Sequence, residues 1–98
     1  MERTRQITMS PVTYHPSPNA VFTAMDDDEG VLLHLQTRAY FSLNETGTLI
    51  WKLVQQGKHV DAIASVLEQS YDVDHASALQ QVESFLDELA QDGLVDKE

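Results

Sequence analysis

Four histidines, sixteen acidic residues and a scatter of serines are the groups in this 98-residue chain with chemistry to offer. A zinc site needs three or four ligands converging tetrahedrally, and helical sites usually show histidine pairs four residues apart. His15, His34, His59 and His75 fall in four separate segments without that spacing, so no metal or other cofactor is expected. Catalytic carboxylates need a partly buried cleft to shift their pKa. The adjacent Asp87 and Glu88 read instead as a polar helix face, and the acidic run 26–29 reads as a solvated turn. That run also lacks the alternating oxygen ligands, central glycine and terminal glutamate of a calcium loop. No serine stands in a strained nucleophile elbow, and the four glycines compose no phosphate loop. With no cysteine there is neither a thiolate nucleophile nor a disulfide, which fits a cytoplasmic setting. The chain is expected to bind rather than to catalyse.

Charge narrows what it binds. Sixteen acidic residues against six basic ones give a net charge of −10. Nucleic-acid affinity rests on Lys and Arg neutralising phosphates, so a field of this sign opposes it. Residues 59–71 and 75–92 contain no Lys or Arg, which leaves no basic recognition helix. No apolar run approaches the roughly 18 residues that span a bilayer, and the N-terminus, beginning Met1-Glu2-Arg3, lacks the apolar stretch of a signal peptide. Neither nucleic acid nor membrane is an expected partner; a neutral or basic one is.

The elements that would carry a binding surface follow from periodicity. Residues 1–19 hold all three prolines and little pattern, and read as a flexible N-terminal arm with a short strand near Ile7–Met9. From residue 20 a single domain to residue 98 is expected. Three short apolar runs, 20–25, 31–35 and 39–43, are separated by brief polar links, as in antiparallel hairpins. Asn44 is a good N-cap for a first helix carrying Leu49, Ile50, Leu53 and Val54, and Gly57 stops it. A second helix places Val60, Ile63, Ala64, Leu67 and Tyr71 on one stripe. Asp74 caps a third, whose apolar face is Leu79, Val82, Leu86 and Leu89 with Phe85 beside it; Gly93 ends it and Leu94-Val95 folds back. The fold class is α+β and winged-helix-like, a three-stranded antiparallel sheet followed by three helices.

One ordered set of residues carries a resemblance. Gly30 to Leu35, Tyr40, Leu43-Asn44, Gly47, Ile50-Trp51 and Gly57 lead into Val60 to Ala64, Leu67 and Tyr71 to Asp74. Val82, Phe85-Leu86, Glu88-Leu89 and Gly93-Leu94 close it. This set resembles the PqqD-like family in its lasso-peptide branch, whose members are recognition elements for ribosomally made, post-translationally modified peptides. The resemblance implies a non-catalytic peptide chaperone. The precursor's leader joins the sheet as an extra strand beside the third strand and packs on the third helix. The stand-alone element, which the chain length favours, then delivers the precursor to a separate leader peptidase and a lasso cyclase. The family pattern does not account for the arm.

Physical reasoning from the residues points to the same edge. The run 39–43 contains no proline and no charge, so nothing guards it against pairing with an extended peptide. The candidate peptide-binding residues are Ala39, Tyr40, Phe41 and Ser42 on the third strand. On the third helix they are Leu79, Val82, Glu83, Phe85 and Leu86. Tyr40 with Val82, Phe85 and Leu86 is the expected pocket, while Trp51 and Leu43 are assigned to the core. Two other readings remain open here: a generic protein–protein adaptor, and a degenerate winged helix acting as a transcriptional co-regulator.

Overall fold

A computed structural model describes residues 13–26 and 28–97. The elements run β1 (Tyr14–Pro16), β2 (Ala20–Ala24), β3 (Gly30–His34), β4 (Tyr40–Leu43), α1 (Glu45–Gln55), α2 (Val60–Ser70), α3 (His75–Gln91) and β5 (Val95–Lys97). The expected three-stranded sheet is β2-β3-β4, antiparallel throughout, and β1 and β5 form a second, two-stranded sheet. The expected strand near Ile7–Met9 lies outside the described residues.

Alternation in β3 sets the layers. Gly30, Leu32 and His34 are buried while Val31 and Leu33 are half-exposed, so one sheet face meets the helices and the other faces out. Gly30 is glycine for a local reason: the Phe22 ring of the neighbouring strand lies where a Cβ would stand, 2.4 Å from it. Behind the sheet, Leu32 and Leu43 pack with Ile50, Trp51 and Val54 of α1, Ile63 and Leu67 of α2, and Val82, Leu86 and Leu89 of α3.

Each helix begins where its capping chemistry stands. The Asn44 carboxamide accepts the Gly47 N–H at 2.9 Å, and the Asp74 carboxylate accepts that of Ser77 at 2.7 Å. The latter bond holds Asp74 below the usual aspartate range. His59 caps α2, its Nδ1 accepting the Ala62 N–H at 3.3 Å, a role its sequence position did not reveal. Gly57 and Gly93, at φ of 82° and 77°, supply the left-handed residues that end α1 and α3. On α3 the fully buried member of the first turns is Ala78 rather than Leu79, which is half-buried. The α3 stripe is rotated slightly from the one drawn through the largest side chains.

The arm is the main departure in the fold. Residues 14–16 pair with β5 in the register Tyr14↔Lys97, His15↔Asp96 and Pro16↔Val95. Tyr14 is only 3% exposed, and its hydroxyl donates to the Asp87 carboxylate at 2.7 Å. The part of the arm from residue 13 on therefore belongs to the folded body. Its prolines hid the strand, but Pro16 sits at the end of β1, where a missing donor costs little.

Candidate functional site

The site begins with β4, whose one neighbour among the described residues is β3. Hydrogen-bond phase decides which of its residues are free. His34 donates to the Ala39 carbonyl at 2.8 Å, and the register pairs Leu33 with Tyr40, Leu32 with Phe41, Val31 with Ser42 and Gly30 with Leu43. In an antiparallel ladder bonded and non-bonded pairs alternate. Ala39, Phe41 and Leu43 thus turn their backbone groups inward to β3, and Tyr40 and Ser42 turn theirs to the open edge. The other side of β3 agrees: Leu35 donates to Asn19, placing the odd-numbered residues of β3 toward β2.

Side chains alternate with the same period but on the perpendicular axis. Phe41 and Leu43 face the helices, half-buried and buried respectively. Tyr40 and Ser42 are exposed, Tyr40 to 70%, on the outer face of the sheet. Phe41 and Leu43 form one wall of a recess of about 160 Å³ whose other wall is Phe85, Glu88, Leu89 and Asp92 of α3. The recess opens, past Ser42, Leu43 and Phe85, into a cleft of about 480 Å³ lined also by Glu29, Asn44, Gly47, Ile50 and Gln81. An unpaired strand edge with an apolar groove beside it can take up an extended peptide by main-chain pairing and read its alternate side chains.

Two close approaches hold the groove walls in place. A Cβ on Gly47 would stand 3.3 Å from the Phe85 ring, so the absence of a side chain lets the start of α1 slide under it. A Cβ on Gly93 would stand 3.1 Å from Nε2 of His34, which is itself buried. His34 also organises the β3–β4 turn: its Nδ1 accepts from the N–H groups of Gln36 and Thr37, and its carbonyl accepts from Arg38, whose φ is 67°. One histidine thereby brings the start of β4 beside the end of α3.

The expected site residues divide. Phe41 and Phe85 face the groove, and Tyr40 and Ser42 offer their backbone to the edge. Ala39 lies in the turn with its carbonyl bonded to His34 and its N–H to Thr37 Oγ1, so it is not part of the edge. Val82 and Leu86 have no exposed surface and are core, a correction to the expected pocket. Tyr40 does not meet them, because its side chain is on the other sheet face. Leu79 packs half-buried against the core, and Glu83 raises the pKa of Tyr14 by its charge, on the β1 side of α3. Gln81, Glu88, Leu89 and Asp92 were missed. With Phe85 they recur at intervals of three and four residues, a helical stripe visible once Phe85 is taken as its centre.

The remaining histidines are apart from the groove. His15 stands on β1 opposite Asp96, and His75 joins Glu68 and approaches Asp61 to 3.8 Å across α2 and α3. Among the described residues no three His, Cys, Asp or Glu side chains are placed to hold a metal ion, and no helix is long and apolar enough to cross a membrane.

Comparison with known proteins places this geometry. The profile of the family described as Coenzyme PQQ synthesis protein D (PqqD) matches residues 29–95, which includes the open strand and all three helices. The chain belongs to the PqqD family. Among solved structures, this PqqD-family chain is similar to TbiB1 in complex with the TbiA(beta) leader peptide. The two are 38% identical, with a TM-score of 0.77 over 83% of this chain and 93% of that one. It also shares its fold with a lasso peptide synthetase B1 complexed with the leader peptide, at 24% identity and TM-score 0.76 over 84% and 95% of the two chains. No curated protein matches it.

Proposed function

We propose that this chain binds the leader segment of a ribosomal precursor peptide without itself catalysing a reaction. It delivers that precursor to a separate leader peptidase and cyclase in lasso-peptide biosynthesis. The leader adds as a strand to β4, bonded through Tyr40 and Ser42, and sets alternate side chains over Phe41, Phe85 and Leu89. The observation that carries the reading is the coincidence of the open β4 edge with the apolar groove along it. The 38% identical relative with a leader peptide bound supports it. The charge supports it too, since α2 and α3 contain no Lys or Arg with which to approach a phosphate backbone.

The test is a titration, followed by fluorescence anisotropy, of the labelled leader from the precursor encoded with this chain. Saturable one-to-one binding is expected, with the partner peptidase cleaving full-length precursor faster when this chain is present. The chain alone should leave the precursor intact. Duplex DNA should give no shift at about 0.15 M salt, where exposed charges are screened beyond roughly 8 Å. Absence of leader binding, or cleavage by this chain alone, overturns the proposal.

A further inference from the structure

The groove has a chemical asymmetry. Its apolar floor is Phe41, Phe85 and Leu89, and its charged rim consists of Glu88 and Asp92 at one end and Glu29 at the other. No Lys or Arg lines it. Glu88 and Asp92 stand one helical turn apart on α3, exposed, on the wall of the same recess. Among the described residues neither is ion-paired with a Lys or Arg.

Their position on the helix is unfavourable in the free protein. Glu88 lies in the last turn of α3 and Asp92 at its C-cap, where the carbonyl ends of the helix repel negative charge, and that turn holds no basic residue to offset it. Asp87, by contrast, accepts the Tyr14 hydroxyl and has a structural use. Two carboxylates placed against the helix dipole, over an apolar recess, complement a side chain with an apolar stem and a cationic head.

Resting on the reading of the groove as a leader site, we infer that the leader carries a Lys or Arg at the position over this recess. Its methylene stem lies on Phe41, Phe85 and Leu89, and its cationic head sits between Glu88 and Asp92. The basic residue thus selects this chain's own leader among peptides that all satisfy the same main-chain pairing.

The probe is a displayed library of random 12-residue peptides selected on the full chain, with binders kept only if a Ser42→Pro variant fails to hold them. Those edge-dependent binders should share a Lys or Arg at one fixed position. Replacing it with Gln should weaken binding to the wild-type chain about threefold for each carboxylate it meets. It should change nothing for the E88Q/D92N variant. That variant should also melt at a higher temperature than wild type, which a structural role for the two carboxylates would reverse. Glu88→Lys should prefer a peptide with Glu at the same position. Edge-dependent binders without a shared basic position, or a basic position indifferent to Glu88 and Asp92, overturn this inference and leave the leader-binding reading standing. A library that yields no edge-dependent binder overturns both.

Discussion

The Tyr14 hydroxyl donates a 2.7 Å hydrogen bond to the carboxylate of Asp87, joining the first residue of β1 to the C-terminal half of the helix that walls the groove. Tyr14 is otherwise enclosed by the core, and β1 is held on its other side by β5. Removing the hydroxyl by Tyr14→Phe should cost about 1 kcal/mol, the net worth of one such bond. In a domain of this size that lowers Tm by roughly 4–8 °C. Burial, then the bond and charge of Asp87, then the charge of Glu83, push the Tyr14 pKa up to about 12. Its folded pKa is above its unfolded one, so the stabilisation is complete below the unfolded value and declines as pH rises toward the folded one. Thermal melts of wild type and Tyr14→Phe should therefore converge in that alkaline window. A constant gap across it would mean the tyrosine proton is not coupled to folding.

Proline substitution along β4 reports the hydrogen-bond phase. Tyr40→Pro and Ser42→Pro delete donors that point to the open edge, and should keep a cooperative melt while weakening leader binding by about tenfold or more. Phe41→Pro deletes a donor bonded to β3 and should lower Tm steeply. Tyr40→Ala separates the loss of the exposed ring from the loss of the N–H. Should the two edge variants bind leader as tightly as wild type, the peptide does not pair with β4.

Neighbouring residues on α3 should behave oppositely. Leu86 is wholly buried, and Leu86→Ala should lose roughly 2–5 kcal/mol of stability. Phe85 is half-buried with its ring on the groove, so Phe85→Ala should cost less stability, about 1–2 kcal/mol. It should nonetheless weaken leader binding more than any other groove substitution, as the loss of an aromatic anchor does. Denaturant titration paired with anisotropy distinguishes the two. Equal stability losses would contradict the assignment of Phe85 to the groove.

A pH effect is expected where α2 meets α3. The hydrogen bond to Glu68 raises the His75 pKa above the usual histidine value, with the charges of Glu68 and Asp61 adding to it and partial desolvation opposing. Because the folded pKa is the higher one, this contribution is present below the unfolded value of about 6.5. It is lost as pH rises through the folded value. The Tm difference between wild type and His75→Gln should thus be positive in mildly acid buffer and shrink toward alkaline pH. An unchanged difference, or one that grows with pH, would show that His75 titrates without a net partner.

Much of this protein is determined by interactions a few residues long, and those are legible in the sequence. Asn44 and Asp74 cap their helices because a short polar side chain reaches the N–H three residues on, and Gly57 and Gly93 end theirs because the left-handed region favours glycine. The three apolar runs, their antiparallel order and the absence of any guard on the last one follow from composition alone. The acidic balance opposes a phosphate backbone whatever the geometry.

Only the tertiary structure decided which atoms of that last strand are free and which side chains line the groove. A strand's phase is set by the neighbour it bonds to, and the bond from His34 to Ala39 is what leaves Tyr40 and Ser42 as the edge residues. The rotation of α3 depends on what packs against it: Val82 and Leu86 turn into the core, leaving Phe85, Glu88 and Asp92 for the groove. The stretch Tyr14–Pro16 is a strand because Val95–Lys97, some eighty residues away, supplies its partner. Local propensity cannot encode such pairings, since their free energy resides in contacts that exist only after the chain has closed upon itself.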